Sequence, residues 1–150
     1  MNGIQFHFLF NHISLIGIPI VLLFLLIGWI RRNHAIQRTA LAVMVGISLA
    51  ILPAFFTGEA AEEVIEGLPW AQEAQIETHE TLAKIAMATT LSLGLLSAIA
   101  FLAWDTRQRK TLLALIWITS LAATVSLAMT AHTGGQIRHT ELSITVEKTH

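Results

Sequence analysis

Read for polarity alone, the chain alternates long uncharged stretches with short charged ones. Residues 1–30, 39–58, 85–104 and 111–137 contain no Asp, Glu, Lys or Arg. A helix of about 20 apolar residues crosses the ~30 Å of hydrocarbon in a bilayer, so each stretch is long enough for one crossing. The pattern predicts an all-α, polytopic membrane protein, an antiparallel bundle of four transmembrane helices at about 8–31, 36–66, 76–105 and 110–133. These form one domain over residues 1–142, followed by a polar tail at 143–150. No soluble domain and no internal repeat stands out.

The connections divide by charge. Two short loops hold Arg31, Arg32 and Arg38, then Arg107, Arg109 and Lys110, which are six of the nine Lys and Arg residues. By the excess of basic residues in cytoplasmic loops, that side is expected to be inside. Nine of the ten acidic residues, all but Asp105, fall on the other side with both termini, which are therefore expected to be extracytoplasmic. The first residues, "MNGIQFHFLF", lack a basic leader segment, so the first helix is expected to be retained. The longer outer connection carries "EGLPW", where Gly67 and Pro69 suit a helix end and a new start and Trp70 suits the headgroup layer.

Composition agrees with the pattern. The chain is 54% hydrophobic and 13% charged, with a mean hydropathy of +0.65, too apolar for a soluble domain of this size. The absence of cysteine excludes disulfides, thiolate metal sites, iron–sulfur clusters and covalent haem attachment. A net charge of −1 argues against a nucleic-acid partner.

The chemistry gathers on the outer side. Glu59, Glu62, Glu63 and Glu66 follow the second uncharged stretch at i, i+3, i+4 and i+7, one stripe if the helix continues. Like charges on one stripe repel, and water, basic groups or a metal would compensate them. His12 opens the first helix, His79 opens the third beside Glu80, and His132 and His139 close the fourth beside Arg138 and Glu141. Ionisable groups at membrane depth are costly and face a bundle interior or a wet cavity, which makes this cluster a candidate site. His7 and His150 lie near the termini and read as solvated, and His34 as a loop residue. Glu73 and Glu77 read as a wet helix face. Met44, Met87 and Met129 read as packing. Trp29, Trp104 and Trp117 read as an interface belt or bundle packing.

Glycines and prolines add local expectations. Gly134 and Gly135 fall where the fourth helix leaves the membrane and are expected to let the chain turn, aiming Arg138 and His139 back over the bundle. Pro53 cannot donate to the carbonyl of Leu49, and Pro19 cannot donate to that of Leu15, so kinks are expected in the second and first helices. Small residues including Gly46, Ala50, Ala54, Ala86, Ala88 and Ala131 permit close helix approach.

The set "FNHISLIGIPI", "TGEAAEE", "THETLAK" and "AHTGGQIRHTEL" resembles a family of small bacterial four-helix integral membrane proteins of unknown function. The resemblance covers roughly residues 6–142. The family's histidine opening the first helix, TG pair ending the second, histidine opening the third and GG pair ending the fourth match His12, Thr57 and Gly58, His79, and Gly134 and Gly135. The proline that the family has close behind the first histidine stands at Pro19 here. The resemblance implies the fold and the importance of these positions, and no activity.

Three functional readings fit the residues. In the first, His12 and His79, with His139 as the substitute for either, clamp a haem b, and His132 is a further cofactor-binding residue. Gly134 and Gly135 then make room and Arg138 pairs with a propionate. The protein would be an electron-transfer subunit beside a quinol oxidoreductase, other respiratory subunits or a periplasmic cytochrome. In the second, His12, His79 and His139 with Glu59, Glu62, Glu63 or Glu80 bind Zn, Mn or Fe. The only Glu-x-x-His pair is Glu147 with His150, outside the helices, which argues against a di-iron centre. In the third, the chain is a structural or assembly subunit that docks a basic periplasmic partner through its acidic edge. No nucleophile and base pair points to catalysis. The expected location is the bacterial inner membrane, with the lipid bilayer itself as a partner.

Overall fold

A computed structural model describes residues 3–65 and 72–147, and the side chains of residues 7, 9–58 and 72–137. The described chain is helical throughout, apart from short connections: α1 (Gly3–Ile30), α2 (His34–Leu49), α3 (Ile51–Ile65), α4 (Glu73–Leu102) and α5 (Arg109–Glu147). Four segments are long and apolar enough to cross a bilayer, Leu9–Ile30, His34–Gly58, Glu73–Leu102 and Arg109–Ile137, with α2 and α3 sharing one crossing. Gly67 and Pro69, expected to punctuate the outer connection, and Glu66 lie outside the described residues.

The second crossing breaks at a single residue, Ala50. Pro53 has no N–H for the carbonyl of Leu49 and its ring crowds that carbonyl. The turn tightens in response, and the Ala50 N–H bonds to the Ile47 carbonyl at 3.1 Å. Pro19, by contrast, produces no break, and α1 runs through it.

Gly134 and Gly135 do not turn the chain. No glycine among the described residues has a positive φ, and α5 continues helically to Glu147. Arg138 and His139 therefore lie on the same helical rod as the glycines, at its next turn.

Antiparallel packing can be read from nested pairs. Around the α1–α2 turn, a Cβ on Gly28 would stand 2.9 Å from Gln37 and one on Gly17 2.9 Å from Ile47, while Gly58 meets His7. Around the α4–α5 turn, Thr89 bonds Ser126 at 3.0 Å and His79 bonds Thr133 at 3.0 Å. Each series pairs the residues nearest the turn first, as in a hairpin of helices. The two hairpins join mainly where α2 meets α4, and there Ser48 Cβ would be 2.7 Å from a Cβ on Gly94. α1 and α5 meet more loosely, and α1 and α4 are diagonal to one another.

The α1–α2 turn is closed by backbone geometry. Asn33 N–H reaches the Gly28 carbonyl at 2.8 Å and Arg32 N–H that of Trp29 at 3.1 Å, the paired bonds of a Schellman cap. Arg32 takes the left-handed conformation, φ 51°, where glycine is usual. Asn33 then caps α2 by accepting from Ile36 N–H at 3.1 Å.

Large apolar side chains cover the outside and small or hydroxyl residues much of the inside. Leu102 is 83% and Ile118 68% exposed, whereas Ser14, Ser48, Thr90, Ser97 and Ala100 are fully buried. Lipid rewards the first arrangement, and close helix approach requires the second.

Candidate functional site

At the end of the bundle opposite the arginine-rich turns, two imidazoles are seated in the same way. His7, on α1, is half-buried and its Nδ1 lies 2.7 Å from the Ala54 carbonyl of α3. Its ring occupies the space a side chain at position 58 would need, since a Cβ on Gly58 would be 3.0 Å from its Cε1. His79, on α4, is half-buried and its Nδ1 lies 3.0 Å from Thr133 Oγ1 of α5. A Cβ on Gly134 would again be 3.0 Å from its Cε1.

Both seats are a Thr-Gly dipeptide inside a helix. Thr57 Oγ1 donates to the Pro53 carbonyl at 2.6 Å, and Thr133 Oγ1 reaches the Thr130 carbonyl at 3.0 Å and that of Met129 at 3.2 Å. Each hairpin thus contributes one histidine from its first helix and one Thr-Gly seat from its returning segment. The chain carries a duplicated device where its sequence suggested no repeat.

The hydrogen bonds constrain the tautomers. A carbonyl only accepts, so His7 Nδ1 donates to Ala54 and the neutral ring carries its lone pair on Nε2. Between His79 Nδ1 and Thr133 Oγ1 either group can be the donor, and His79 has its lone pair on Nε2 when the hydroxyl proton of Thr133 goes to its own helix. This is how ligand histidines are held in metal and haem proteins, with Nδ1–H tied to an oxygen and Nε2 presented. The two rings are electrostatic neighbours, although they come from diagonal helices.

The remaining candidates are placed as follows. His12 is exposed. It is five residues from His7, and at about 100° per residue it falls on another face of α1. His7, which the sequence suggested to be solvated, is instead half-buried against α3. His132 is exposed, and its Nε2 pairs with Gln136 Nε2 at 3.2 Å. Glu80 forms an ion pair with Lys84 at 2.6 Å, four residues on along α4. The α3 helix is continuous through Glu59, Glu62 and Glu63, and α5 through Arg138 and His139, with their side chains outside those described. Among the described residues no three His, Asp or Glu side chains converge as a metal site. The sequence clue to His7 was the repeated Thr-Gly dipeptide, whose significance depends on which histidine sits against it.

At the opposite end, Trp104 is buried between His34, edge-on with ring centroids 5.6 Å apart, and the Arg109 guanidinium, 5.0 Å from its ring. It packs the bundle, while Trp29 is 65% exposed.

Comparison with family models, with curated proteins and with solved structures gave no match.

Proposed function

We propose that this multi-pass membrane protein is a b-type haem protein, an electron-transfer subunit whose haem is held between His7 and His79. One observation carries the reading: two half-buried imidazoles from diagonal helices, both tied through Nδ1 to an oxygen of the neighbouring segment. Through their ring nitrogens His7 and His79 would hold the haem iron. The Gly58 and Gly134 seats keep the rings from being pushed inward by side chains behind them. Bound there, haem would supply one-electron chemistry. The chain itself would fix the ligand orientation through the Nδ1 bonds of the two rings.

The six basic residues at the far end support an orientation with that end in the cytoplasm. The histidine pair and both termini then belong to the periplasmic side of a bacterial inner membrane. A haem at one face relays electrons to a neighbour, and a respiratory subunit or a periplasmic cytochrome attracted by the glutamates fits that role.

A divalent metal site is the second reading. It is favoured by the unbroken α3 helix, which puts Glu62 four residues beyond Gly58 and so on the face of the His7 seat.

The absorption spectrum of the purified protein, oxidised and reduced, separates the two. The haem reading expects a Soret band that His7→Ala and His79→Ala abolish or shift and that His12→Ala leaves intact. A folded protein from haem-sufficient cells with no Soret band and a stoichiometric bound metal would replace haem by the second reading.

A further inference from the structure

Lys110 stands between two spaces of opposite character. On one side is a cleft of about 470 Å3 where α1 and α5 meet loosely, walled by Leu25, Leu26, Trp29, Leu113 and Trp117, with the buried Gln37 also contributing. On the other is a basin of about 460 Å3 in the α4–α5 turn, lined by Trp104, Asp105, Thr106, Arg107 and Arg109. Lys110 lines both. The basin holds three cations against the one carboxylate of Asp105.

The geometry points to a binding site for an anionic phospholipid, with its phosphate at Lys110 and the basin and an acyl chain in the cleft. The cleft opens between two crossing helices, so its surroundings are lipid rather than water. From Lys110 to Trp117 α5 advances about 10 Å, enough for a glycerol and the upper part of a chain. Its floor is Leu25, 2% exposed, and Trp29 and Trp117 are exposed walls, the residues that favour the headgroup boundary. A neutral quinone would fill the cleft, but its carbonyls would take only a hydrogen bond from Arg107, Arg109 or Lys110 where a phosphate also neutralises their charge. A zwitterionic lipid would bring its own cation into a cationic basin. Basic pockets between transmembrane helices select anionic headgroups for this reason.

Tryptophan fluorescence tests the site, because Trp29 and Trp117 line it. The full chain is reconstituted in bilayers that contain a minor fraction of brominated phosphatidylglycerol or, separately, brominated phosphatidylcholine. Preferential quenching by the anionic lipid is expected, falling about fivefold for each cation removed in Lys110→Gln and Arg107→Gln. Ala114 also lines the cleft, and Ala114→Phe fills it without altering charge and should lower the preference as well. If it does not, the attraction is to the basic surface alone and the cleft assignment fails. Equal quenching by the two lipids, or a stoichiometric quinone extracted from the purified protein, overturns the proposal.

Discussion

His79 occupies the volume that a side chain at position 134 would fill: a Cβ on Gly134 would lie 3.0 Å from its Cε1 and 3.5 Å from its Nδ1. Gly135, the next residue, has nothing within 4 Å of the same construction. Two adjacent glycines, both helical, therefore have different roles.

Their alanine variants should separate. Gly135→Ala should stabilise the protein by about 0.5–1 kcal/mol, the helix preference of alanine over glycine. Gly134→Ala receives the same helical gain but displaces His79, and the proposed haem spectrum should shift or disappear without unfolding. Thermal unfolding and the reduced-state spectrum, measured on both variants, check the pair. Equal spectra would remove Gly134 from the site.

The α2–α4 contact should fail under a single methyl group. Gly94→Ala places a Cβ 2.7 Å from Ser48 Cβ and should cost about 1–3 kcal/mol by overpacking. Ser48→Gly should restore stability to that variant, and Ser48→Ala, which keeps the obstructing carbon, should not. On its own Ser48→Ala should be neutral or stabilising by about 1 kcal/mol, because its fully buried hydroxyl has no hydrogen-bond partner. Unfolding of the single and double variants in one detergent measures the coupling.

Arg32→Gly should stabilise the α1–α2 turn by about 1 kcal/mol. Arginine at φ 51° bears the steric penalty of the left-handed region, which glycine lacks. The gain is read as a raised unfolding temperature, and Arg31→Gly, one residue earlier, should show no such rise.

Orientation can be tested because the chain has no cysteine of its own. Single cysteines at Asn33 and Gln72, both exposed, should react differently with an impermeant thiol reagent on intact cells. Gln72→Cys should label and Asn33→Cys should not. The reverse result would place the histidine pair in the cytoplasm.

The four crossings were legible because their signal is length without charge, which bilayer thickness makes decisive. The break at Ala50 was legible from Pro53, since a missing N–H acts locally. The turn expected at Gly134 and Gly135 was not found, because glycine permits a turn and does not require one. The sequence points to His12 as the helix-opening histidine because position along the chain gives depth without rotation about the helix axis. The apolar pattern could not supply that rotation: Ile18 is fully buried and Ile20 is 49% exposed on the same helix. In lipid both faces are apolar, so the stripe that reports helix orientation in soluble proteins is erased.

The interruption at Ala50 makes the two histidine seats mechanically unequal. The Gly134 seat belongs to an unbroken 39-residue helix, and the Gly58 seat to the 15-residue α3 beyond the break. The first is laid down in line with its whole crossing, while the second takes its direction from the backbone at Ala50, two turns before Gly58. Pro53, which touches neither histidine, thus has a part in where the His7 seat lies.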